Sequence, residues 1–179
     1  MPARPRVVLA RLLGFALLLV VRPTPGSVLL AAPLAFLGEA LRIWASGHIE
    51  KRRMLATGGP YAHTRNPLYL GTLVLIVAAV VASASPWVAL VAALYIAAFY
   101  PKVLREESRF LAEKFGDDYA AWAAEVPLFL PRLRPAGPRV SSFSWSRVLA
   151  NREWQAALVV PGAALLLLGV YMLRQFIAS

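Results

Sequence analysis

Residues 58–71 read "GGPYAHTRNPLYLG", which sets a histidine, an arginine, an asparagine and two tyrosines directly against an apolar run. Asn66 before Pro67 is a helix start signal, an N-cap followed by proline at the first helical position. The free N–H groups and positive dipole end of such a helix, with Arg65 beside them, make a shallow anion site. Gly71, within the first turns, lets a bulky group approach the backbone. The same residues also admit a plainer reading, in which Asn66 only caps, Tyr61 and Tyr69 are interfacial aromatics and Arg65 reaches for lipid phosphate.

A second constellation, "REESRFLAEKFGDDYAAW", covers residues 105–122. On a helix, Glu107 shares a face with Leu104, Phe110 and Leu111, so it turns toward the apolar side more than Glu106 does. A carboxylate there needs a partner, either an arginine or the hydroxyls or cationic group of a ligand. Glu39 and Arg42 lie one helical turn apart within an apolar stretch. They either neutralise each other or carry function, the default for ionisable groups at membrane depth.

The elements that must position these groups follow from composition. Hydrophobic residues make up 59% of the 179 and charged residues 16%, which describes an integral membrane protein with one compact helical domain. The net charge of +10 is carried between apolar runs, so its partner is the anionic leaflet rather than nucleic acid. With no cysteine and two histidines, the chain has no disulfide framework or thiol nucleophile and too few imidazoles for an ordinary zinc site. No metal partner is expected.

Five spans are expected. Residues 7–21 are apolar and end at the turn signal "RPTPGS"; they resemble a signal-peptide core, but without a small-x-small cleavage pattern they read as a retained first span. Residues 27–47 form the second. Residues 67–81 and 86–100, separated by "ASAS", form a tight helical hairpin that is tilted or continues into the polar segments. Residues 102–125 are amphipathic and predict a helix on the membrane surface, with a break at Gly116 and a second short helix, capped by an aspartate, that stops before Pro127. A basic linker precedes a fifth span at 154–173, in which Pro161 and Gly162 are tolerable. The fold class is therefore an all-α integral membrane protein with about five spans. Residues 1–135 form the core, and 136–179 form the linker and extra span. With the N-terminus cytosolic, all but three of the 19 Lys and Arg residues fall on the cytosolic side; Arg22 and Arg174 lie outside and Arg42 within a span. The two motif segments then share that face.

The run "TGGPYAHTRNPLYLG", followed after two apolar arms by "EESRFLAEKFGDDYAAWAAEVPLFLPR", resembles the signature of the isoprenylcysteine carboxyl methyltransferase and phospholipid methyltransferase superfamily. The likeness covers residues 38–132. It implies an integral membrane enzyme of the cell membrane that binds S-adenosylmethionine on the cytosolic side and methylates a lipid-like or isoprenylated acceptor. Carried over residue by residue, it implies that Tyr61, Asn66, Pro67, Leu68 and Tyr69 line the cofactor pocket. Met54, Leu55 and Ala56 contribute backbone contacts, and Glu107 holds the cofactor. Arg65 orders the loop, and Arg105 is the candidate for the acceptor's anionic group. The sequence departs from the pattern at Asn66, where the motif usually has histidine, and at Arg105, which directly adjoins the glutamates.

Methyl transfer from a sulfonium needs in-line approach and a dry pocket more than an acid–base pair. A carboxylate acceptor, the preferred reading, needs mainly a cation such as Arg105 to orient it. An amine acceptor must lose a proton, for which Glu106 or His63 can serve. The ordinary soluble methyltransferase fold is excluded, since the chain has no alternating strands and no glycine-rich strand-to-helix turn. The alternatives are a phospholipid amine methyltransferase, an NADPH-dependent sterol-type reductase with Tyr61 or Tyr69 as proton donor, and a membrane scaffold without activity.

Overall fold

The computed structural model describes residues 20–50, 54–137 and 141–179, and every regular element among them is helical. The first expected span, residues 7–21, lies almost wholly outside the described residues. Helix α1 is Pro25–Ser46. Thr24 caps it reciprocally with Ser27, whose N–H donates to Thr24 Oγ1 at 3.0 Å while Thr24 N–H donates to Ser27 Oγ at 2.9 Å. Proline at the first helical position strengthens that start. Its 22 residues reach about 33 Å at about 1.5 Å each, enough to cross a bilayer core of about 30 Å.

Helix α2 is Pro67–Ser83 and helix α3 is Pro86–Glu125. The turn between them places Ala84 in the left-handed region, with φ 46°, so the hairpin read from "ASAS" forms where expected. The surface helix expected from residue 102 is not a separate element. It continues α3, which is unbroken from Pro86 as far as Gly116, about 45 Å of helix at about 1.5 Å per residue, and so projects beyond a bilayer core at one end. Pro101 does not end the helix, and Arg105 Nε donates to its carbonyl at 2.9 Å. The expected break at Gly116 is present, with φ 50° and ψ −121°, and the helix stops before Pro127. Helix α4 is Trp145–Ala150 and helix α5 is Glu153–Ala178. Among the described residues, three helices, α1, α3 and α5, are long and apolar enough to cross a membrane, and α2 is a shorter apolar helix.

Helices α1 and α2 pack through glycine. A Cβ on Gly38 would lie 3.0 Å from the Gly71 carbonyl oxygen, and one on Gly71 would lie 2.9 Å from the Gly38 oxygen. Only a residue without Cβ permits that approach. At the far end, Ser27 Oγ donates to the Ala82 carbonyl and Arg22 N–H to that of Ser83. The densest core is not between the spans. It lies at the end that carries the motifs, where Ala45, Ala56, Tyr61, Tyr119, Trp122 and Val126 are buried together. Leu29, Leu30, Phe36, Leu94 and Leu165 are exposed, as side chains that meet lipid must be.

Candidate active site

The two motif segments are bound to each other by backbone polar groups. Arg65 N–H donates to the Pro127 carbonyl at 2.9 Å. Asn66 Nδ2 donates to Leu128 O at 2.9 Å, and Thr64 Oγ1 to Phe129 O at 2.8 Å. Farther out, Arg132 N–H reaches His63 O and Ala136 N–H reaches Ala62 O. Trp122, almost completely buried, donates its indole N–H to Tyr61 O at 3.2 Å. Two segments some 60 residues apart thus form one rigid rim. Gly59 is essential to its first turn: φ is +58°, and a Cβ there would fall 2.4 Å from His48 Nε2.

Asn66 stands where a cap is expected, directly before Pro67 at the start of α2, but its side chain does not cap. The side chain is buried and its amide is committed to Leu128, while its own N–H turns back to Thr64 Oγ1 at 3.3 Å. The helix boundary was read correctly and the work of the side chain was not. Tertiary pairing outcompetes the local cap here because an unmet buried carbonyl costs more than an uncapped N–H.

Behind the rim lies a cavity of about 570 Å³, well within the range of small-molecule sites. Met54, Leu55 and Ala56 line it from the polar loop, and Tyr61, Arg65 and Asn66 from the rim. Pro67, Leu68, Tyr69 and Thr72 contribute from α2, and Glu107, Phe110, Leu111, Phe115 and Trp122 from α3. Arg42, Ile49 and Glu50 close the side toward α1. Arg105 and Glu106 are exposed and do not line the cavity. Glu107 is half-buried and faces in, as the helical phase requires.

Arg65 Nη1 donates to the Tyr119 hydroxyl at 3.0 Å, its guanidinium carbon lies 6.0 Å from the centre of that ring, and its Nε is buried without a partner. Burial pushes the Tyr61 phenol up, and the negative charges of Glu107 and Glu153 push it further. This phenol stays protonated at any ordinary pH. Arg42 does not pair with Glu39. Its Nη2 donates to Glu153 Oε2 at 2.7 Å, its Nη1 donates to Thr72 Oγ1, and its Nε is buried without a partner. Both Glu39 oxygens are buried and unpartnered among the described residues. The expected self-contained pair fails because a carboxylate from α5 reaches the guanidinium with better geometry.

Among the described residues, no group of three or more His, Asp or Glu side chains gathers where it could hold a metal ion. Sequence reasoning missed Ile49, Glu50, Thr72, Phe110, Leu111, Phe115 and Trp122 as lining residues, and marked Arg42 only as an ionisable group at membrane depth. Thr72 was within reach of inference, one turn beyond Leu68 on the same face of α2. Glu153 gave no sequence signal as Arg42's partner, since 111 residues separate the two.

The family model for phospholipid methyltransferases matches residues 10–118. Over 137 residues the chain is 39% identical to the cobalt-zinc-cadmium resistance protein CzcN of Cupriavidus metallidurans, covering 71% of this chain and 63% of that protein. It is 37% identical over 121 residues to the nickel-cobalt-cadmium resistance protein NccN of Alcaligenes xylosoxydans xylosoxydans, covering 63% of this chain and 55% of that protein. The chain thus spans less than two thirds of the length of these curated relatives. No solved structure matches it. On the extent of the family match and the motifs that fold into one rim, the chain belongs to the phospholipid methyltransferase family.

Proposed function

We propose that this protein transfers a methyl group from S-adenosylmethionine to a lipid-like acceptor at the cavity behind the motif rim. The observation that carries this reading is the set of groups on one cavity wall. A half-buried carboxylate, Glu107, and a guanidinium with an unmet buried N–H, Arg65, stand among apolar and aromatic side chains. That donor set fits an amino-acid zwitterion attached to an aromatic base. Glu107 is placed to accept from the ammonium and Arg65 to donate to the carboxylate. Met54, Leu55 and Ala56 offer backbone groups, and Tyr61, Asn66, Pro67, Leu68 and Tyr69 shape the pocket. When bound, the cofactor supplies an electrophilic methyl group on a sulfonium.

The chain's own contribution is positioning and exclusion of water. Arg105 was the cation assigned to a carboxylate acceptor, and it lies outside the cavity. Inside, Arg42 is already neutralised by Glu153 and Arg65 is assigned to the cofactor, which leaves no lining cation for an acceptor carboxylate. That balance favours an amine-headed acceptor over a carboxylate. The amine would leave its proton in water and enter as the free base, whose lone pair would take the methyl group that the cofactor supplies. A carboxylate acceptor oriented by Arg105 at the cavity mouth is the second reading. The basic residues around the rim support a site that faces the cytosol.

The relatives' names speak of resistance to cobalt, zinc, cadmium and nickel, so metal ions belong among the ligands to be tried. Isothermal titration of the purified protein with S-adenosylmethionine, NADPH and zinc separates methyltransferase, reductase and metal-binding readings. Saturable binding of S-adenosylmethionine alone is expected, and its absence sinks the proposal. Transfer of labelled methyl to phosphatidylethanolamine vesicles or to a prenylcysteine carboxylate then separates amine from carboxylate acceptors.

A further inference from the structure

Arg42 occupies the wall of the cavity at membrane depth, in α1, where an unpaired guanidinium is costly. The carboxylate that answers it comes from the first turn of α5, a helix beyond the residues that the family model matches. The pair is well shielded: the Arg42 side chain is 20% exposed and that of Glu153 is 11% exposed. With Glu153 on Nη2 and Thr72 on Nη1, the plane of the guanidinium is fixed, and with it the direction of the unmet Nε–H.

Two residues earlier, Asn151 makes a second attachment. Its Nδ2 donates to the Ser46 carbonyl at 3.0 Å, which also accepts from Ile49 N–H, and to the Ile49 carbonyl at 3.1 Å, and so ties down the end of α1. Ile49 is itself a cavity residue. Arg152 lies between these attachments in the left-handed region, with φ 60° and ψ 25°. A non-glycine residue holds that conformation only where its surroundings over-determine it. Here it turns the chain so that Asn151 meets the end of α1 while Glu153 meets Arg42. Beyond this first turn, α5 presents exposed Leu158, Val159, Leu165 and Leu166.

We propose that the α4–α5 junction is a brace for the cavity: Glu153 acting through Arg42, and Asn151 acting through the backbone at Ile49, are positioning residues for its membrane-side wall. The effect on cofactor affinity rests on the methyltransferase reading above, whereas the brace itself does not.

The chain has no cysteine, so a nitroxide placed on Ile49→Cys reports that wall alone in the full-length protein in nanodiscs. Asn151→Ala strands no charge and should mobilise that label while leaving a label on Phe115→Cys unchanged. An unchanged spectrum at position 49 overturns the brace. In the second arm, Glu153→Gln should raise the dissociation constant of S-adenosylmethionine about tenfold, the scale of one charge-assisted contact, and Glu153→Asp should recover most of the affinity. Unchanged affinity in Glu153→Gln removes Glu153 from the proposal. The double variant Arg42→Gln/Glu153→Gln removes both charges of the pair and should match the single Glu153→Gln. A further loss in the double variant overturns the claim that Glu153 acts through Arg42. If the unmodified protein does not bind S-adenosylmethionine, the methyltransferase reading fails and the label experiment still decides the brace.

Discussion

The side-chain amide of Asn66 donates to the backbone carbonyl of Leu128, 2.9 Å away, and so joins the start of α2 to the irregular segment that follows α3. Aspartate, a good helix cap, has no hydrogen to give that carbonyl. Asn66→Asp should therefore lower stability at least as much as Asn66→Ala, by about 1 to 3 kcal/mol, the cost of an unmet buried acceptor. Thermal unfolding in detergent checks this. If aspartate is clearly the milder change, Asn66 acts as a cap after all.

Glu107 and Glu106 are adjacent in sequence and lie on different sides of α3. Loss of a charge-assisted contact typically costs about 1.5 to 3 kcal/mol, or roughly tenfold to over a hundredfold in affinity. Glu107→Gln should weaken S-adenosylmethionine binding on that scale, and Glu106→Gln should barely change it. Direct titration of both folded variants decides. Normal binding by Glu107→Gln removes that carboxylate from the cofactor site.

Tyr119 holds one end of Arg65. Tyr119→Phe keeps the ring and removes the hydroxyl that accepts from the charged Arg65, a bond typically worth about 1.5 to 3 kcal/mol. The expected result is a dissociation constant for S-adenosylmethionine raised about tenfold. A large fall in melting temperature with unchanged affinity would make the contact purely structural.

Gly38 and Gly71 meet backbone to backbone. A methyl group at Gly71 has no flexible neighbour to displace on the side of the Gly38 oxygen, so Gly71→Ala should cost about 1 to 3 kcal/mol through overpacking. Gly162→Ala, with open space around its Cβ position, should cost nothing measurable. Comparing the two melting curves tests whether α1 and α2 depend on this approach.

Helix α5 has 26 residues, about 39 Å of helix, enough to cross. A reporter after Ser179 and one inserted near Gly137 should therefore lie on opposite sides of the membrane, the second of them in the cytosol. Both reporters on one side would refute that placement.

What could be read in the sequence was local. Pro67 marks a helix start, Gly116 a break and Pro127 a stop, because each acts through its own backbone. The inward phase of Glu107 follows from helical periodicity alone. Pairings made across the chain were hidden. Asn66 looked like a cap because nothing nearby in sequence reveals Leu128, and Arg42 looked like the partner of Glu39 because Glu153 lies 111 residues away. Arg105, named through the family resemblance, stands two positions before Glu107, about 200° around the helix and outside the cavity.

The clamp of residues 64–66 on residues 127–129 fixes both ends of the stretch that carries Glu107, Tyr119 and Trp122. That stretch therefore acts as a ruler. Inserting or deleting one residue between Glu107 and Gly116 would swing Glu107 by about 100° and shift it by about 1.5 Å relative to the rim, out of the cavity it faces. Among homologues, changes of length should be absent from this interval.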